Sequence, residues 1–208
     1  MEKIIELGID EAGRGPVLGP LVLAGVSLPK EQESLLREWG IDDSKRFGSQ
    51  KKGKMMRQAL AEKIKARFPY KILVFSPQEI DQYIREKSLN RLEQEGAKII
   101  LDELPADQVV LDGENLFKPL AGKNILATNK ADATYMSVAA ASILAKTTRD
   151  DIFEELCQPF AELYGEIRGG GYPNKQTLHF VLWHHQEYGE LPDFYRKSYK
   201  WKQLQASF

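Results

Sequence analysis

Apolar residues fall into short blocks early in the chain and into longer stretches of helical period later. Ile4–Ile9 is an apolar run that ends at Asp10, before the glycine-rich Ala12-Gly13-Arg14-Gly15-Pro16. Leu21–Leu28 is a second run, set off by Gly19-Pro20, so a strand, a loop and a strand are expected here. Three more runs read as strands: Tyr70–Phe75 closed by Ser76-Pro77, Val109–Leu111 stopped by Asp112-Gly113, and residues 124–128. Residues 50–67, 77–84, 87–103 and 174–188 predict helices, and within 87–103 Leu89, Leu92, Ile99 and Ile100 fall on one broad face. The strongest helical stretch runs from Ala133 to about Glu155. There Met136, Ala140, Ile143 and Leu144 share a face, and Ser142, Lys146 and Arg149 lie opposite. This order predicts an α/β protein, a mixed five-stranded sheet flanked by helices, with a helical C-terminal portion over about 160–208. The expectation is a single domain over 1–208.

Composition narrows the class. Sixteen glycines and ten prolines in 208 residues are an ordinary share, which excludes collagen-like or Pro/Gly-rich disordered chains. The lone Cys157 excludes an intramolecular disulfide and a multi-cysteine zinc site, and fits a reducing compartment. MEKIIELGID lacks the basic start and long apolar core of a signal peptide. The longest apolar stretch, Val138–Ala145, is interrupted by Ser142 and is too short for a membrane span. A soluble, cytoplasmic monomer without membrane contact is expected. Lys+Arg 29 against Asp+Glu 30 leave a net charge of −1, which argues against bulk attraction to nucleic acid but not against a local basic face. The tail offers one, with Arg196, Lys197, Lys200 and Lys202 among Tyr195, Tyr199 and Trp201; a solvated terminal segment is the plainer alternative.

The acids carry the chemistry. Asp10 and Glu11 end the first strand, Asp112 ends the fourth, and Asp132 precedes the long helix. Singly they read as turn residues or, for Asp132, as an N-cap. Strict alternation would send Asp10 and Glu11 to opposite faces, so both serve one site only if the strand ends or twists there. Adjacent strand ends bring distant acids into one crevice, where four carboxylates repel unless a divalent cation neutralises them. Hard oxygen ligands favour Mg²⁺ or Mn²⁺ over zinc, and a pair of such ions suits phosphodiester displacement. The residues alone leave open a non-enzymatic binding module whose acids are only caps and turns. Gly13-Arg14-Gly15 matches no nucleotide-hydrolase phosphate loop; its small bulk permits close approach to a sugar 2′-hydroxyl. Tyr172, between Gly171 and Pro173, reads equally as a stacking platform and as a core-capping ring. His179, His184 and His185 offer no shared metal face, Ser142 reads as a packing residue and Cys157 as a buried small hydrophobe.

Gly8-Ile9-Asp10-Glu11-Ala12-Gly13-Arg14-Gly15-Pro16 with Leu18-Gly19-Pro20 resembles the signature of ribonuclease HII. The resemblance extends to Asp43-Ser44-Lys45, Leu111-Asp112-Gly113, Lys130-Ala131-Asp132, the Ser137–Lys146 stretch, Gly169-Gly170-Gly171-Tyr172-Pro173 and Arg196-Lys197-Ser198-Tyr199, in the family's order. It implies a ribonuclease H-like fold and a metal-dependent endoribonuclease. The implied substrates are RNA–DNA hybrids and single ribonucleotides embedded in duplex DNA, as in ribonucleotide excision repair, with 5′-phosphate and 3′-hydroxyl products. The family's four acidic ligands map onto Asp10, Glu11, Asp112 and Asp132, holding two Mg²⁺ or Mn²⁺ ions. Its substrate-binding positions map onto Gly13, Arg14, Gly15 and Tyr172, with Lys45 and Lys146 near the substrate. Gly170 departs from the serine common in the family, and Asn174-Lys175-Gln176 from its usual continuation.

Overall fold

The computed structural model describes residues 4–41 and 51–207. All five expected strands form: β1 Ile5–Ala12, β2 Leu21–Pro29, β3 Tyr70–Phe75, β4 Gln108–Asp112 and β5 Ile125–Thr128. The helices are α1 Glu33–Glu38, α2 Lys51–Arg67, α3 Pro77–Glu86, α4 Leu89–Glu103, α5 Glu114–Phe117, α6 Met136–Cys157, α7 Lys175–Tyr188 and α8 Lys202–Gln205. The short α1, α5 and α8 lack a periodic signature long enough to read from sequence. The chain forms two compact units.

The first unit holds Met1–Ala12, Val22–Leu73 and Asn90–Thr147. Its sheet has the order β3-β2-β1-β4-β5, with β1 antiparallel to β2 and parallel to β4, and β4 parallel to β5. Residues alternate between faces along a strand, and register partners share a face. Glu6, Gly8, Asp10 and Ala12 therefore look one way, and Leu7 and Ile9 the other. Helix α6 covers the first face. A Cβ on Gly8 would strike the backbone of Ser137 and Val138, so glycine lets the helix lie directly on β1. Buried Glu6 on that face accepts a hydrogen bond from the Ser137 hydroxyl at 2.7 Å and pairs with Lys30 at 3.4 Å. Helix α4 covers the second face, where a Cβ on Gly25, the partner of Ile9, would strike Ile100.

Helix α6 departs from the two-faced expectation. Val138, Ala139, Ala140, Ala141, Ile143, Leu144 and Ala145 are all buried, and Arg149, expected on the polar side, is 2% exposed. The first turns of the helix are enclosed on nearly all sides, where small residues allow close packing, and the polar stripe is narrow, running through half-buried Ser142 and exposed Lys146.

The second unit holds Gly13–Leu21, Val74–Leu89 and Thr148–Phe208. Phe153, Phe180, Phe194, Tyr195 and Trp201 build its core with Val17, Leu18, Val181 and Leu204. Ser76 and Glu79 form a reciprocal cap at the start of α3, and Asn174 caps α7 by accepting from Thr177 N at 2.9 Å. On α3, buried Asp81 accepts from Lys197 N at 2.8 Å and Ser198 N at 2.9 Å, which pins the tail.

Candidate active site

Three aspartates meet in the first unit. Asp10 stands near the end of β1 on the α6 face, and Asp112 is the last residue of β4. The parallel register pairs Ile9 with Leu111, which sets Asp112 beside Asp10 on that face. Asp132 lies in a 3-10 turn, Ala131–Ala133, and not at the N-cap of the long helix, which begins at Met136. That turn is tied to β4, since Ala131 N donates to Asp112 Oδ1 at 3.2 Å. Lys130, just before it, takes a left-handed φ of 56°, uncommon for a residue with a side chain. One carboxylate oxygen from each of Asp10, Asp112 and Asp132 lies within 4.8 Å of the other two.

Glu11 follows Asp10 directly in the strand. Strand β1 continues to Ala12, and Glu11 pairs with Leu23 of β2. Its charge acts on Asp10. Burial pushes the Asp10 carboxyl up to about 8, and the charges of Glu11 and Asp112 push the same way. Two donors oppose the rise: the Ser142 side chain, and Glu11 N at 2.8 Å from Asp10 Oδ1. Ser142 is thus more than the packing residue its sequence context suggested. The helical spacing put it on the face opposite Met136 and Ile143, but nothing local named Asp10 as its partner.

A cluster of hard oxygen donors, one of them buried and unwilling to ionise, fits a divalent cation. The donor set lacks cysteine and histidine, which disfavours zinc.

The glycine-rich segments belong to the second unit. Gly13 has a φ of 93°, and a Cβ there would strike Pro20 O. Val17 N and Leu18 N both donate to Gly171 O, at 2.8 and 3.2 Å. The Gly13–Gly19 loop is thereby hydrogen-bonded to the Gly169–Gly171 turn. Tyr172 is 49% exposed, and its Cε1 would lie 3.1 Å from a Cβ on Gly15. It is an exposed ring beside Gly15 and not a core cap.

The remaining candidates divide clearly. Lys146 is exposed on α6, and Lys45 lies outside the described residues. His184 is buried and bonds through Nδ1 to Glu190 O at 2.8 Å, while His179 Nδ1 lies 2.8 Å from Tyr164 Oη. Burial pushes the Cys157 thiol up to about 12, an inert packing group. The tail corrects the idea of aromatic rings interleaved with cations on one face. Tyr195, Trp201 and Arg196 are buried, and only Lys197, Lys200 and Lys202 of that series remain exposed.

Comparison with known proteins decides the family. The model described as ribonuclease HII matches residues 7–202. The chain belongs to the ribonuclease HII family. A ribonuclease HII of Methanobrevibacter smithii is 38% identical, across 93% of this chain and 94% of the relative. The ribonuclease H2 of Pyrococcus horikoshii OT3 superposes with a TM-score of 0.81 at 32% identity, covering 98% of this chain and 96% of that one. An Archaeoglobus fulgidus ribonuclease HII, solved in complex with PCNA, superposes with a TM-score of 0.80 at 33% identity, over 96% and 97% of the two chains. The mixed sheet with flanking helices is accordingly the ribonuclease H-like fold, and family membership makes the chain a nuclease of the ribonuclease H type. No helix among the described residues is long and apolar enough to cross a membrane.

Proposed function

We propose that this ribonuclease HII cuts the RNA strand of RNA–DNA hybrids and cleaves on the 5′ side of single ribonucleotides embedded in duplex DNA, so removing ribonucleotides from DNA. The products carry a 5′-phosphate and a 3′-hydroxyl. The observation that carries the reading is the convergence of Asp10, Asp112 and Asp132 in a chain of this family.

Asp10, Asp112 and Asp132, joined by the longer side chain of Glu11, would hold two Mg²⁺ or Mn²⁺ ions. Divalent cations in such a setting supply charge neutralisation and Lewis acidity at a phosphodiester. The protein's own part is to fix the carboxylates. Ser142 and the Glu11 N–H orient Asp10, and the Ala131 N–H orients Asp112. Burial favours the protonated Asp10 carboxyl at neutral pH in the cation-free fold, and a bound cation would favour its release of that proton. Water attacks the phosphorus in line with the departing 3′-oxygen. Gly13, Arg14 and Gly15 read the 2′-hydroxyl, which separates RNA from DNA. Tyr172 presents its exposed ring to the neighbouring sugar, and Lys45 and Lys146 meet phosphates.

The test is a DNA duplex carrying one ribonucleotide, incubated with wild type and Asp10→Asn, with and without magnesium. Wild type cuts at the ribonucleotide only when the cation is present, and the variant does not. Strong cleavage by the variant, or cleavage without a divalent cation, would refute the assignment.

A further inference from the structure

Two arginines of the second unit, Arg149 and Arg196, are 2% and 0% exposed. Burying a guanidinium costs several kcal/mol unless its donors are used. Here the donors go largely to main-chain carbonyls of the glycine-rich segments. Arg196 Nε donates to Gly19 O at 2.9 Å and Nη1 to Arg14 O at 3.4 Å. Tyr199 Oη also donates to Arg14 O, at 2.8 Å. Arg149 Nη2 donates to Gly170 O and, at 3.4 Å, to Leu18 O, so one guanidinium nitrogen bridges the turn and the loop.

The rest of the Arg149 side chain reinforces this grip. Its guanidinium carbon sits 4.8 Å from the Phe153 ring centroid. The same ring is the near neighbour of Gly19 and Gly171, where an added Cβ would come within 3.0 Å of it. Arg149 Cγ would lie 3.3 Å from a Cβ on Gly13. Arg149 Nε is buried without a hydrogen-bond partner among the described residues. An aliphatic side chain would fill this space without stranding that donor. Nη2 spends its two hydrogens on the two carbonyls, while Nη1 donates to Asp150 Oδ1 at 3.4 Å; the planar guanidinium fixes these directions, which a freely rotating ammonium does not.

A trans peptide sets each carbonyl antiparallel to the following N–H. Turning Arg14 O inward to Arg196 and Tyr199 therefore turns the Gly15 N–H the opposite way. Holding Gly170 O at Arg149 fixes the last turn of backbone before Tyr172 in the same manner.

From this geometry we propose that Arg149 is a positioning residue for ribonucleotide recognition. By gripping Gly170 O and Leu18 O it fixes the Gly169–Gly171 turn on the Gly13–Gly19 loop, and so sets the Tyr172 ring beside Gly15. The proposal rests on the reading of Gly13, Arg14, Gly15 and Tyr172 as the ribose-contacting groups. Arg149 itself touches no substrate.

The experiment compares wild type, Arg149→Lys, Arg149→Met and Phe153→Leu. Steady-state cleavage is measured on a duplex with one embedded ribonucleotide and on a long hybrid, and Mn²⁺ binding is followed by calorimetry. Arg149→Met should raise KM on the single-ribonucleotide duplex about tenfold or more, because a small misplacement of a contact group has large effects. Its selectivity for that duplex over the long hybrid should fall, with Mn²⁺ affinity unchanged. Arg149→Lys, which keeps the charge and loses the fork, should fall between. A folded Arg149→Met protein with wild-type KM and selectivity would overturn the proposal. Should Arg149→Met fail to fold, Phe153→Leu decides: a smaller loss of selectivity in the same direction supports it, and unchanged selectivity overturns it. A wild-type protein indifferent to the embedded ribonucleotide would instead overturn the functional reading beneath it.

Discussion

Asp10 is held far above the ordinary carboxylate range, and the direction of that shift has two consequences. Its carboxyl is raised from 3.8 to about 8, first by burial and then by Glu11 and Asp112. Between those two values the native state holds a proton that the unfolded chain has lost, so the cation-free protein loses stability as pH rises from about 4 to about 8. Asp10→Asn removes this dependence. In thermal denaturation without divalent cation, the variant should gain on wild type as pH rises from 5 to 8.5, by at least about 1.4 kcal/mol, the equivalent of one pKa unit. A constant difference across that range would contradict the burial argument. Ser142 works against the rise, since its side chain hydrogen-bonds to the Asp10 carboxylate. Ser142→Ala should weaken Mn²⁺ binding about tenfold at pH 7, the loss expected for a hydrogen bond to a charged group. The same substitution should move the rise of affinity with pH to higher pH. Calorimetry at several pH values checks both.

Elements were legible where a period or a punctuation mark announced them. Four of the strands were bounded by Asp10-Glu11, Gly19-Pro20, Ser76-Pro77 or Asp112-Gly113, the fifth is a short apolar run within residues 124–128, and all five form. The junction of Asp132 with its helix was not legible, because a 3-10 turn and an N-cap use the same short polar residue. Nor was the burial of Arg149, whose partners are carbonyls more than a hundred residues away or across a loop. Whether the Glu11 carboxylate turns to the same side as Asp10 was not legible either, because alternation along β1 argues one way and the long side chain at the strand's end the other. Gly8 shows how the packing of one element on another hides in one letter. It looks like a strand residue of no account, yet it is where α6 lies on β1. Gly8→Ala would force backbone apart, not a flexible side chain, so the overpacking cost of about 1–3 kcal/mol should fall at its upper end. Chemical denaturation should show a lower midpoint with unchanged slope. A midpoint equal to wild type would mean that the helix is free to shift.

At the scale of the whole molecule the problem is charge. With 29 basic and 30 acidic side chains the chain carries no net attraction for a polyanion, and the aspartate cluster repels one until cations are bound. Binding a duplex therefore depends on where the cations of the surface stand, not on how many there are. The tail resolves into buried rings that hold the second unit together and three exposed lysines, Lys197, Lys200 and Lys202. Each lysine that meets a phosphate releases a counterion and adds about 0.9 to the slope of log affinity against log salt. Replacing Lys197, Lys200 and Lys202 by glutamine should therefore flatten the slope for a ribonucleotide-containing duplex by roughly 0.9 for each phosphate no longer neutralised. Weaker binding should appear equally on every base sequence, because phosphates carry no sequence information. Mn²⁺ binding should be untouched, since the substitutions leave Asp10, Asp112 and Asp132 in place. An unchanged salt slope in the triple variant would return these lysines to the solvated-tail reading and leave the phosphate-binding groups to be sought among other cations, Lys146 first.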